Sequence, residues 1–195
     1  MRRLIALIIT FTVCLAAPAA AGGPDNVVTA SPTADGQGLY SRHIKVNAVS
    51  ADTIDSANQA TAKPHDCTGC QGFAVAFQAV IANGNPSTVA PSNLADAENT
   101  NCTSCVAFAF AYQYVVTTDQ PSQLSEEGRA KVREIRAKVD DAVHSATSLP
   151  DLDSRLKDLG EQFRAAVRDD LEARGKDPHG GRVKQDEQAA GEQTT

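Results

Sequence analysis

The feature that most constrains this chain is an internal duplication. Residues 67–81, CTGCQGFAVAFQAVI, align without gaps on residues 102–116, CTSCVAFAFAYQYVV, at an offset of 35, with eight of the fifteen positions identical. Any fold must therefore accommodate two equivalent units, each opening on a Cys-x-x-Cys pair. The residue before each copy is one that caps helices, Asp66 in the first and Asn101 in the second. The Ala-rich run that follows has no breaker beyond Gly69 and Gly72, so the spacing predicts one helix from each copy. On that reading Phe73, Phe77, Val80 and Ile81 share a face, as do Phe108, Tyr112, Val115 and Val116. The alternative is a pair of strands, because Phe108, Phe110, Tyr112, Tyr114 and Val116 also alternate strictly with Ala109, Ala111, Gln113 and Val115. The connection begins with the turn residues Asn83, Gly84, Asn85 and Pro86, and residues 92–99 are expected to add a short helix. Gln78 and Gln113 occupy equivalent places inside apolar runs, where each amide needs a partner.

Composition divides the rest of the chain. Residues 67–116 hold six of the nine aromatic residues and only two charged ones, Asp96 and Glu98, which marks the buried part. Residues 122–174 carry ten positive and twelve negative side chains above an apolar stripe. Val132, Ile135, Val139 and Val143, then Leu152, Leu156, Leu159, Phe163, Val167 and Leu171, recur every three or four residues. With Ser125 and Ser148 placed as N-caps, they predict an antiparallel helical hairpin. Residues 22–64 are rich in small and polar residues and read as a disordered linker, residues 43–49 being the one stretch suited to a short strand. Residues 175–195 contain Val183 as their only large apolar residue and read as a disordered tail.

The N-terminus is expected to direct export. Arg2 and Arg3 precede an uncharged, mostly apolar run, and Ala19, Ala20 and Ala21 form a small-residue cleavage site, so residues 1–21 read as a signal peptide that takes Cys14 with it. Loss of the two arginines would move the formal charge from −6 to −8, an acidic balance that argues against nucleic acid. No membrane span is expected after cleavage.

Together, the first cysteine copy, the run NLADAENTNCTSCVAFAFAYQYVV and the following LSEEGRAKVREIRAKV resemble a Cys-x-x-Cys repeat module of exported actinobacterial proteins. Some chains containing that module carry the label peptide zinc metalloprotease. The resemblance covers about residues 66–171 and implies no defined activity. The label does not transfer: His43, His65, His144 and His179 are followed by Ile44, Asp66, Ser145 and Gly180, so no His-Glu-x-x-His helix exists to hold a catalytic zinc.

Three chemistries are open to Cys67, Cys70, Cys102 and Cys105. In an exported chain they read first as disulfides, paired within each copy or across the two. A four-cysteine zinc site is the second reading, although the 31 residues between the pairs exceed the usual spacing; His65 is a substitute ligand. The third is thiol–disulfide redox chemistry, with Cys67 and Cys102 attacking from helix N-termini and Cys70 and Cys105 resolving.

The expectation is thus a mainly α fold: a duplicated Cys-x-x-Cys helix unit with a C-terminal antiparallel helical hairpin in residues 65–174, with disordered termini, or α+β if the copies are strands. The function expected is that of an exported structural or binding module in the cell envelope or outside the cell, without catalytic activity or cofactor and with a cell-envelope protein as the kind of partner. Phe110 and Tyr114, which face Val75 and Ala79 in the alignment, are where an interaction patch beyond the core would lie.

Overall fold

The computed structural model describes residues 24–190, so the expected signal peptide lies outside them. Nine strands and two helices follow in order: β1 (Asn26–Ala30), β2 (Gly38–Val49), β3 (Thr53–Ala62), β4 (His65–Thr68), β5 (Gln71–Asn83), β6 (Thr88–Ala97), β7 (Thr100–Thr103), β8 (Val106–Thr118), α1 (Glu126–Ser145), α2 (Leu149–Ala173) and β9 (His179–Ala190).

The strands stack as three successive coils of a short parallel solenoid. One sheet has the order β1-β3-β6, a second β2-β5-β8-β9, and a two-stranded ladder of β4 and β7 forms a corner between them. All pairings are parallel except that of β8 with β9. The sequence offset of 35 is the register itself: Phe73 lies beside Phe108, Gln78 beside Gln113 and Cys67 beside Cys102.

This corrects the mainly α expectation. The copies are strands, and the alternation seen in residues 108–116 is the pleat. Phe110, Tyr112 and Tyr114 point to one face, while Ala109 and Ala111 point to the other and fill the space between the sheets. The helical reading rests on the capping residues and the Ala-rich run, and much of the face it implies, Phe73 to Phe77 to Ile81 and Phe108 to Tyr112 to Val116, has spacings of four, while Val80 and Val115 fall on the opposite face. Four residues return a side chain to the same face of a strand as well as of a helix. Both faces of β5 and β8 are buried, which hides the polar alternation that normally identifies a strand. The expected helix at residues 92–99 is likewise replaced, by β6 and the turn after it.

The segment read as a disordered linker forms β1, β2 and β3, and β9 lies within the segment read as a disordered tail. Both misreadings have one cause. A solenoid strand buries small residues against the coils beside it, so Ala30, Ala60 and Ala62 are fully buried. Asparagines continue the stack. Asn26 donates to Asn58 at 2.8 Å and Asn58 to Asn93 at 2.7 Å, one amide above another through three coils. Asn58 also donates to the carbonyls of Ala76 and Tyr112, tying the two sheets together. Gln113 donates to Gln78 at 2.7 Å, the pairing that two buried repeat-related amides require.

The helical hairpin is present. Ser125 caps α1 by accepting from the Gly128 amide, Ser148 caps α2 by accepting from that of Asp151, and the apolar stripe lies on the aromatic face of the second sheet. Phe110 and Tyr114 are buried there, so the expected interaction patch is occupied by the protein's own hairpin. Asp170 on α2 joins the two ends by accepting from Ser125 at the start of α1 and pairing with Arg174. At the far end of α1, Asp140 accepts from Arg42 and Tyr40 of β2.

Two predictions follow from this docking. Gly160 of α2 lies against Tyr112, where an added Cβ would come within 2.5 Å of the ring. Gly160→Ala should therefore destabilise by about 1–3 kcal/mol, read as a lower urea midpoint. Asp140 is held below its ordinary value of 3.8, first by the hydrogen bond from Arg42. The stability it lends is complete above the unfolded-state value and is lost as pH falls through the depressed folded-state value. Asp140→Asn should lower the midpoint at neutral pH and flatten its decline on acidification below about pH 4.

Candidate functional site

The four cysteines lie at the corner, Cys67 and Cys102 on the ladder of β4 and β7 and Cys70 and Cys105 just beyond it. In each copy a four-residue turn carries the first cysteine at the end of a short strand and the second at the entry to the long one, with Cα atoms 6.2 Å apart for Cys67 and Cys70 and 5.8 Å for Cys102 and Cys105. A tight turn brings its first and fourth residues within about 7 Å, a separation a disulfide also accepts. The third turn residue has positive φ, +68° at Gly69 and +54° at Ser104. Glycine adopts this without cost, whereas serine at the same place is strained.

The expected helix caps take another role. Asp66 and Asn101 precede the cysteines with φ of +55° and +49°, and Asn101 Nδ2 donates to Asp66 Oδ1 at 3.1 Å, so the pair repeats the ladder outside the cysteines. His65 Nδ1 donates to the Asp66 carboxylate at 3.1 Å, and the ring is partly exposed. Its hydrogen bond is the first cause of the lowered Asp66 pKa, followed by that from Asn101.

The sulfurs are within bonding distance inside each copy, Cys67 with Cys70 and Cys102 with Cys105. Across the copies Cys67 Sγ and Cys102 Sγ stack at 3.5 Å, and all four ligand atoms lie within 4.8 Å of one another. All four residues are buried, Cys70 and Cys105 completely.

The surroundings of the sulfurs bear on all three chemistries. The Ala34 carbonyl lies 3.1 Å from Cys70 Sγ, the Thr103 carbonyl 3.5 Å from Cys105 Sγ and the Cys67 carbonyl 3.6 Å from the same atom. The Pro32 carbonyl is 3.8 Å from Cys67 Sγ. These are acceptors, and their negative ends oppose a thiolate. The helix dipole needed to activate Cys67 or Cys102 is also missing, since both sit on strands β4 and β7. A neutral disulfide tolerates this environment. A four-thiolate metal site fits the sulfur spacing but meets the same carbonyls.

The first coil places no cysteine at this corner. Its loop at residues 31–37 lies over β4 instead: Asp35 accepts from the Thr68 amide at 2.7 Å, and the Gly36 amide donates to Thr68 at 2.8 Å. Sequence reading missed this coil, although a signal was available. Asn26-x-x-Thr29-Ala30-x-Pro32 recurs as Asn58-x-x-Thr61-Ala62-x-Pro64, 32 residues later.

Compared with family models, curated proteins and solved structures, the chain has no significant match.

The turn geometry predicts opposite effects at one position. Ser104→Gly should stabilise by up to about 1 kcal/mol, since it relieves the left-handed strain, while Gly69→Ala should cost about 1 kcal/mol, with open space around the added Cβ leaving the backbone as the cause. Thermal melts of the two variants against the parent would check both signs.

Proposed function

We propose that this chain is an exported structural and binding module without catalytic activity, a short solenoid whose corner is stapled by two disulfides, Cys67 with Cys70 and Cys102 with Cys105. The observation that carries the reading is the cysteine corner: sulfurs paired within each turn, buried, stacked coil on coil and surrounded by carbonyl oxygens. That environment suits a permanent staple better than a nucleophile, which needs access and a stabilised thiolate. Each staple closes a very short loop and contributes about 2 kcal/mol in the chain-entropy estimate, less than a cross-copy pairing. Its larger role is to hold the corner on which three coils align. Residues 1–21 support export, and oxidised cysteines suit an extracytoplasmic compartment. A cell-envelope protein is the kind of partner such a module would engage.

The zinc reading is kept by one observation, the closeness of the four sulfurs. Intact mass of the mature protein, with and without an alkylating agent, separates the two. Two disulfides place the mass four hydrogens below the reduced value with no alkylation, and digestion between the copies without reductant releases them as separate peptides. Alkylatable thiols with zinc retained in native mass spectra would overturn the staple, and copies linked to each other would overturn the pairing.

A further inference from the structure

The two edges of the second sheet differ. β9 pairs antiparallel along β8, whereas β2 at the opposite edge has no strand beside it among the described residues. An open edge is a template for another strand unless its neighbourhood opposes one. Here the neighbourhood is a groove. α1 runs antiparallel alongside β2: Asp140 lies by Tyr40 and Arg42, Arg136 donates to the Ile44 carbonyl at 2.9 Å, and Arg129 shares a hollow with Val46. Ile44, Val46, Leu124 and Val132 give the groove an apolar floor.

Its rim is basic although the chain is acidic overall. Arg129, Arg133 and Arg136 follow at spacings of four and three, which puts them on one flank of α1 facing this groove. Glu126 reaches Arg129 at 3.5 Å from an exposed position, and Asp140 is taken by Arg42 and Tyr40. Arg133 has no ion-pair partner among the described residues. Asn47, which lines the adjoining part of the groove, holds its Nδ2 buried with no acceptor.

We propose that this groove binds an extended acidic peptide segment of a partner protein, which adds as a strand to β2, takes over the Ile44 carbonyl from Arg136, and directs carboxylates toward Arg129, Arg133 and the Arg136 side chain so released. The spacings agree. Successive arginines are separated along the helix by about 6 and about 4.5 Å, and side chains on one face of a strand by about 6.7 Å, a difference that long arginine side chains absorb. Carboxylates at alternate residues therefore meet the rim, with apolar residues on the same face reaching the floor. Backbone pairing supplies register and the charges supply selection, the division of labour of strand addition elsewhere. The proposal deepens the binding side of the proposed function and rests on it, but it does not depend on the state of the cysteines.

The probe is a short labelled peptide alternating glutamate with valine, measured by fluorescence anisotropy with the full mature chain at low and high salt. The expected result is saturable binding, weakened by salt, absent for the lysine-for-glutamate peptide, and weakened about five- to tenfold by Arg133→Glu. Backbone N-methylation of the peptide should abolish it, and amide exchange of β2 should slow in the complex. Arg133 is exposed, so the variant should keep the parent's circular dichroism and melting; Arg133→Gln is a milder second variant expected to fall between the two. Equal affinity of parent and both variants, undiminished binding of the N-methylated peptide, or no binding by a folded protein of verified mass would each overturn the groove. The last result leaves the staple standing if that mass shows two disulfides. Free thiols in a protein that still binds would overturn the staple and leave the groove.

Discussion

The depth of the solenoid is set by alanine. Where β1, β3 and β6 face β5 and β8, one buried cluster is Ala30, Ala60, Ala62, Ala74, Ala76, Ala95, Ala97, Ala107, Ala109 and Ala111 with Val28 its one larger member, while Ile54, Val80 and Val115 pack together further along the same strands. With little more than a methyl group on each side, the two sheets approach closely. A side chain as short as Asn58 can then reach carbonyls of the facing sheet while also hydrogen-bonding to its neighbours above and below. At Gly72 even a methyl would be tight, since a Cβ there would lie 3.0 Å from the Ala30 carbonyl. So thin an interior buries little apolar area per residue, and the second sheet makes up the difference on its outer face. Phe77, Phe110, Tyr112 and Phe163 form a tilted aromatic cluster between that sheet and the hairpin. The helices are thus required by the alanines: without them the aromatic face would stand in water, a patch few monomeric proteins expose.

The same thinness explains which parts of the fold were legible in the sequence. The hairpin was legible because its apolar residues follow a period of three and four against a charged background, and because Ser125 and Ser148 are caps with mechanism. The equivalence of the two cysteine copies was legible because repeat-related residues share an environment, which keeps Phe73 like Phe108 and Gln78 like Gln113. The conformation of the copies was not. Alanine is the strongest helix former in isolation, and here it is chosen for volume, so tertiary context overrides propensity. The first coil was concealed by the same choice, because a strand such as Asn26–Ala30 buries an asparagine, a valine and an alanine and carries no hydrophobic run.

At the candidate site, the closeness of the four cysteines was legible as an option, since an offset equal to one coil stacks any repeated residue on its mate. The chemistry of their surroundings was not, because the carbonyls of Pro32 and Ala34 come from a loop with no cysteine of its own. That loop is what makes the corner polar in one sense only. A solenoid turn directs its amides along the stack, as the Gly69 amide does toward the Thr103 carbonyl, and that same carbonyl lies 3.5 Å from Cys105 Sγ. Such carbonyls face the sulfurs of Cys67, Cys70 and Cys105, where their negative ends oppose a thiolate.

Stacking also leaves two ends, and they are treated differently. Every interior strand of a solenoid is satisfied by the coils on either side, so the outermost strands alone present unpaired backbone. At the β8 end the chain returns through α1 and α2 and lays β9 against the edge. At the β2 end it lays α1 alongside, pairing Asp140 with Arg42 of the strand and reaching the strand's backbone with Arg136. Positive side chains on an edge discourage pairing with another basic or apolar edge, which keeps an open strand from self-association. They do not discourage an acidic one. A device that protects the edge against copies of itself is, by its charge, also a filter for the strand it will accept.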